Sequence, residues 1–348
     1  MNYAGMNAGS LTFTASLVVV ALGGPSVLDT FQVLQLSAYS SLALGVVGLA
    51  FVWGILGILS LGHAAFFGIG AYAYAILSIA QGESTFAVAA AILAPSVLAV
   101  CLGYFLFYGR VGDVYLSVIT LCVSLILFSF MNSTADVSYT LLSVPLGGFN
   151  GISAVPPLNW PGFVGDFLTP EATFSLCFLL LAAVYLALQF LRGTRLGRIM
   201  ASVRENERRC ELLGYDPRWL KLVGFVISAA IAGLAGALFT ANTGYVGPTV
   251  FDLGQSSQFI LWAIAGGMGT LSGAIIASFM LQFLASFIGT SQLFNTSLVF
   301  GTVIIFFVYA LPNGIVPSLQ GLLRKLSRLA RRQRRRPEVI GDSIKSTP

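Results

Sequence analysis

Charge is scarce in this 348-residue chain: only 9% of the residues are Asp, Glu, Lys or Arg, while 57% are hydrophobic. Soluble domains carry roughly 25% charged residues, so a soluble globular fold is excluded. A disordered chain is excluded by the same hydrophobic content. Strict polar–apolar alternation is missing too, which excludes an outer-membrane barrel. Histidine occurs once, at His63, and the four cysteines (Cys101, Cys122, Cys177, Cys210) show no CxxC spacing, so no histidine cluster or zinc ribbon can form. The three lysines, Lys221, Lys325 and Lys345, follow Leu220, Arg324 and Ile344. The phosphate-binding loop GxxxxGK[ST] is therefore absent, and the chain carries no nucleotide-hydrolysing motor of that kind. No metal and no acid–base constellation is expected, and the chain reads as a non-enzyme.

What is there is a series of long apolar runs. They predict about ten membrane-crossing segments, near 9–28, 36–58, 63–80, 86–109, 114–131, 173–191, 222–242, 257–270, 272–290 and 295–311. The first run lacks a basic n-region and is read as a span, not a signal peptide. The 257–270 run is short for a full crossing and reads as a half-helix or part of a broken span. The fold class expected is an all-α polytopic membrane protein, with a membrane domain over 1–317 and a basic tail over 318–348.

The 18 Lys and Arg residues are placed asymmetrically. None lies in 1–109; Arg110 stands alone, eight lie in 192–221 and nine in 324–345. Positive residues in short loops stay on the cytoplasmic side. Both termini and the 192–221 loop are therefore expected inside, and the 132–172 loop outside. Asp29, Glu83, Asp136, Asp166, Glu171 and Asp252 then fall in outer connections. No Lys, Arg, Asp or Glu lies well within a proposed span, which argues against a proton-coupled carrier or a charged-ion channel. The tail places leucines opposite a basic face (Leu319, Leu322, Leu323, Leu326, Leu329) and reads as a helix lying on anionic lipid, not on nucleic acid.

Two apolar stretches are broken by glycine. One is 54–70, with Gly62 beside His63; the other is 265–273, with Gly266, Gly267, Gly269 and Gly273. Broken helices at comparable places in two halves suggest a repeat around a central pathway. Close packing through small residues, with Gly269 and Gly273 as a GxxxG pair, is the stronger alternative. Tyr115, Ser117, Thr120, Ser124 and Asn132 are polar positions along the fifth run, and Asn150 sits in a Gly-Asn-Gly turn. With His63 they are candidates for lining a pathway, although a tight turn alone accounts for Asn150. Structural hydrogen bonding is the better account of a lone histidine.

Sodium coupling through carbonyls and hydroxyls stays open; if transport is driven by nucleotide, the energy comes from a partner chain, and the 195–214 stretch offers it a grip. Leu196, Ile199, Met200, Val203, Cys210 and Leu213 fall near one helical face, and Gly214 is a helix stop. The expected element is one short amphipathic helix, about 198–213. It could dock into a partner's groove or lie at the lipid interface.

At this loop the sequence resembles a known family. The stretch from GRIMASVRENERRCELLGYDP to GYVGPTVF, the segment at 54–77, VYLSVITL (114–121) and AIAGGMGTLSGAIIASF (263–279) are similar to permease subunits of ABC importers for branched-chain amino acids and urea. The likeness covers roughly 36–315. It implies a type II importer-like permease that pairs with a homologous second permease, two cytoplasmic ATPase subunits that hydrolyse the ATP, and an external solute-binding protein. It implies a bacterial inner-membrane location and no cofactor in this chain. It also implies that Arg198, Arg204, Glu205, Asn206, Glu207, Arg208, Arg209 and Gly214 form the face that couples to the ATPase. Arg208, Arg209 and the Gly214–Pro217 string resemble the urea-type second permease, so urea or a short amide is preferred. A branched-chain amino acid is the alternative, and a stand-alone carrier or channel for a neutral solute comes third.

Overall fold

The computed structural model describes residues 8–136, 138–163 and 165–290, together with 301 and 314. Its helices are α1 (Ala8–Val27), α2 (Thr30–Phe51), α3 (His63–Gln81), α4 (Ser84–Gly103), α5 (Asp113–Ser133), α6 (Pro170–Gly193), α7 (Arg195–Glu205), α8 (Glu207–Leu212), α9 (Pro217–Thr243), α10 (Leu253–Gly266) and α11 (Leu271–Thr290). π-helical turns extend α2 over Val52–Leu56 and α4 over Tyr104–Tyr108. Among the described residues, seven helices are long and apolar enough to cross a bilayer. These are α1 to α6 and α9, close to the first seven predicted spans. The next two runs form the broken element that the short 257–270 run suggested: α10 and α11 are a pair bent by 120° at the glycine break. The tenth expected span and the basic tail lie outside the described residues.

Local chemistry sets the helix boundaries. Thr169 caps α6 by accepting from the Ala172 amide, with Pro170 at the first helical position. Asp216 and Pro217 start α9 in the same way. Pro95 inside α4 cannot donate to the Ala91 carbonyl, and that carbonyl lies against Gly233 of α9.

The central helix is α9, which packs on α2, α3 and α4. Small residues let the backbones meet, with Gly70 of α3 against Gly233 and Gly236 of α9 against the Phe67 carbonyl. Phe51, Phe66, Phe67, Phe225 and Phe259 fill the space between these helices. By contrast, α1, α4 and α5 bury under a third of their residues within this chain. Their exposed Val, Leu, Ile and Phe suit lipid or a partner subunit.

Arg110 and the α7–α8 loop lie at one end of the bundle, called here the basic end. Glu83, Asp136, Asp166 and Glu171 lie at the other. The described residues of 134–169 are tied down at that far end. Asn159 Oδ1 accepts from the Ser84 amide at 2.7 Å, and its Nδ2 donates to the Phe163 carbonyl at 3.0 Å. Tyr74 Oη donates to the Pro156 carbonyl at 3.0 Å. A two-residue strand pair, Ile152–Ser153 with Tyr245–Val246, ties the loop to the connection after α9.

That connection then turns inward, which corrects the reading of Asp252 as an outer-loop residue. Ser124 Oγ donates to the Phe251 carbonyl at 2.7 Å. Ser124 is near the middle of the 21-residue α5, about 16 Å from its start at 1.5 Å per residue. Asp252 therefore lies at mid-depth, capping a helix that begins inside the bundle.

Candidate functional site

The two glycine breaks meet each other at the basic end. A Cβ built on Gly54 would sit 2.5 Å from the Cα of Gly269, so the two backbones are in direct contact and only glycine fits at 54. Gly266 and Gly273 pack backbone to backbone inside the α10–α11 bend, and Gly267 and Gly269 have positive φ of 102° and 84°. This corrects the GxxxG reading: Gly269 belongs to the bend, and Gly266 is the partner of Gly273. Gly62, the residue before α3, lies against the Thr120 carbonyl of α5.

Onto this joint comes one side chain from the basic loop. Arg204, at the end of α7, donates through Nη1 to the Gly54 carbonyl. Its aliphatic stem also covers Gly57, which is left-handed at φ 78°. The acceptor belongs to the π-helical turn, where the regular ladder is already widened and a carbonyl is free for an outside donor.

The loop that carries Arg204 differs from the single helix expected. Asn206 adopts an extended backbone (φ −160°, ψ 99°) and divides it. Asn206 caps α8 by accepting from the Arg209 amide at 3.0 Å, while Thr194 caps α7 by accepting from the Gly197 amide at 3.3 Å. Met200, Val203 and Cys210 are buried against the bundle. Leu213 is not on that face: Leu212 and Leu213 are 86% and 75% exposed, beside exposed Tyr215. Glu205, Asn206, Glu207, Arg208 and Arg209 are exposed as well, and Gly214 ends α8 at φ 85°. Arg198 turns back to donate to the Gly193 carbonyl at 3.2 Å.

A lysine straps the loop to two spans. Lys221 of α9 reaches Glu207 of α8 at 2.6 Å and Asp113 of α5 at 3.9 Å. These residues line a charged cleft of about 340 Å³ with Arg110, Arg208, Glu211 and Arg218. Cys210 sits behind it. Burial first, and then the Glu207 carboxylate, push its thiol above the ordinary range. Native protein is therefore expected to react slowly with a water-soluble maleimide at neutral pH and faster only in alkali. Denatured chain should react at once, and equal native and denatured rates would put Cys210 on the surface.

The polar residues proposed along α5 do not form one lining. Ser117 donates to the Leu59 carbonyl at 2.7 Å, and Thr120 accepts from the Gly62 amide at 3.4 Å. With Ser124 they are buried and hold the α2–α3 break and the Phe251 turn against α5. Tyr115 faces the other way, 71% exposed. Asn132 donates to the Phe128 carbonyl of its own helix at 3.0 Å, and Asn150 is exposed in a 3₁₀ turn at the far end. His63 is buried between Phe66 and Phe259, with one ring nitrogen on the Gly45 backbone and Nε2 unpartnered. Among the described residues no group of three or more Cys, His, Asp or Glu could hold a metal. The arrangement is mechanical: it joins a surface loop to two breaks in membrane helices.

Comparison with known proteins identifies the family. Residues 32–308 match the family described as branched-chain amino acid transport system / permease component. The high-affinity branched-chain amino acid transport system permease protein LivM of Escherichia coli K12 is 28% identical over 338 residues, covering 90% of this chain and 76% of the relative. The corresponding LivH of Salmonella typhimurium is 26% identical over 251 residues, 70% of this chain and 80% of the relative. A probable LivM of Methanocaldococcus jannaschii is 25% identical over 188 residues, 50% of this chain and 53% of the relative. No solved structure matches. These names favour amino-acid transport, kept second in the sequence analysis, over the urea reading placed first. The chain is a multi-pass membrane permease, not an enzyme, and belongs to the branched-chain amino acid transport system permease family.

Proposed function

We propose that this chain is one of two homologous permease subunits of an ATP-driven importer for branched-chain amino acids in a bacterial inner membrane. Its basic end faces the cytoplasm by the positive-inside rule, and both termini follow. Two cytoplasmic ATPase subunits hydrolyse the ATP, an external solute-binding protein delivers the solute at the far end, and lipid covers the remaining apolar faces. Nucleic acid is not a partner.

The observation that carries this reading is the route from Arg204 to Gly54 and Gly269. One side of the α7–α8 loop presents Glu205 to Arg209 with Leu212, Leu213 and Tyr215 to the cytoplasm. The other side holds the joint between two broken helices. A partner that moves the loop moves the joint. The substrate follows from the relatives' printed transport function. Urea rests only on Arg208, Arg209 and the string Gly214–Pro217, and stands second.

The test is reconstitution. Vesicles holding this chain with a second permease, two ATPase subunits and the binding protein should accumulate leucine, isoleucine or valine when ATP is inside the ATPase compartment. Accumulation by this chain alone would overturn the reading. The exposed pair supplies a second expectation. Leu212→Ser with Leu213→Ser should weaken retention of the ATPase subunits in pull-down about tenfold or more, because an exposed apolar anchor contributes about 1–2 kcal/mol once buried. Unchanged retention would remove these leucines from the interface.

A further inference from the structure

Asp252 is the one Asp or Glu among the described residues that the fold carries to mid-depth. The Ser124–Phe251 bond fixes that depth, and the Phe251 ring stacks on Tyr72, near the middle of α3, at 5.6 Å. A carboxylate at such a depth is costly and is ordinarily paired with a cation or used by a ligand. Asp252 has no such pair: the ion pairs among the described residues involve Lys221 alone. Its Oδ1 accepts from the Leu253 amide at 2.7 Å, so the carboxylate already satisfies the start of the 14-residue α10. With the positive helix end offset by the carboxylate, the position attracts a cation, not an anion.

Two groups in the first turn of α10 lack a partner. Gln255 Nε2 and Ser256 Oγ are buried without a hydrogen bond. Ser256 is 1% exposed and lies one turn along α10 on the side of Asp252. Helical side chains lean toward the N-terminus, which directs its hydroxyl back at the Asp252 turn. Buried hydroxyls without partners are unusual and call for a water or ligand. On the other flank, Thr249, Leu253 and Gly254 are exposed. Asp252 itself is half-buried, so its turn is partly open on that flank.

We propose that Asp252, with Ser256 and Gln255, is a mid-membrane station that receives the ammonium group of an amino-acid substrate on its way through the permease. This rests on the amino-acid reading above. It explains how a pathway with few charges can favour a zwitterion over a neutral amide: the free carboxylate oxygen accepts a charge-assisted hydrogen bond that urea's weaker donors make less well.

The experiment uses the complete complex in vesicles. Asp252→Asn keeps an oxygen to cap Leu253 but removes the charge. Leucine uptake should fall about tenfold or more, the loss of one charge-assisted bond, while complex assembly and binding-protein affinity for leucine stay at wild-type values. Asp252→Glu should recover part of the rate. In a variant whose four native cysteines are replaced by alanine, Asp252→Cys should react with a membrane-impermeant cationic thiol reagent. Wild-type uptake by Asp252→Asn, or an unreactive Asp252→Cys with and without ATP, would overturn the station while leaving the importer reading intact. A wild-type complex that takes up no branched-chain amino acid would overturn both.

Discussion

Arg204→Ala will separate ATP hydrolysis from transport. The complex should assemble and hydrolyse ATP, while leucine uptake falls at least about tenfold. The size of the lost bond shows why the effect is on coupling and not on folding. Arg204 is exposed, and an exposed bond to a backbone carbonyl contributes about 1 kcal/mol. That loss is small beside a domain's stability of about 5–15 kcal/mol. The bond is nonetheless the contact through which α7 touches the Gly54 carbonyl. Arg204→Lys should be intermediate, since a single ammonium reaches the carbonyl without the planar fork. Uptake and ATPase activity falling together, in proportion, would show that Arg204 serves assembly instead.

Gly54→Ala is expected to act from the other side of the same joint. The new methyl carbon would lie 2.5 Å from the Gly269 Cα, which is backbone and cannot rotate aside. The helices must part by roughly an ångström to reach ordinary contact, and such overpacking costs about 1–3 kcal/mol. The variant should insert and bind the other subunits but be held in the arrangement where the two breaks are apart. Transport should drop by an order of magnitude or more, with a changed pattern of protease or cysteine accessibility at the basic end. Unaltered uptake would mean that the Gly54–Gly269 contact is never remade during the cycle.

Much of this molecule is legible in its sequence. The seven spanning helices follow from hydropathy alone, because a bilayer accepts little but uninterrupted apolar helix. The basic surface loop that carries α7 and α8 follows from where the arginines stand. What hydropathy does not carry is depth within a connection. Residues 244–252 read as an outer loop because Gly, Pro and Asp break the apolar run, and only the Ser124 bond reveals that the chain turns inward there. The loop's division at Asn206 shifts the helical phase, which turns Leu213 away from the face that an unbroken helix would give it. Asn206 itself is a common N-cap residue and was the available signal. Tyr115 and Ser117 are two residues apart, which on a helix is nearly opposite, so their separation could have been read directly. The urea preference rested on two arginines and one short string, too little to outweigh likeness across most of the chain.

The hydrogen bonds at the far end stiffen that side of the bundle. Asn159, Tyr74 and the paired strands rivet that rim to α3, α4 and the exit of α9. The rim resists spreading, whereas the Gly54–Gly269 contact at the opposite end is a bare glycine seam that one surface arginine, Arg204, reaches from the loop. A rearrangement that spares the rivets must therefore be lopsided, splaying the bundle like tweezers from the basic end while the far rim keeps its outline.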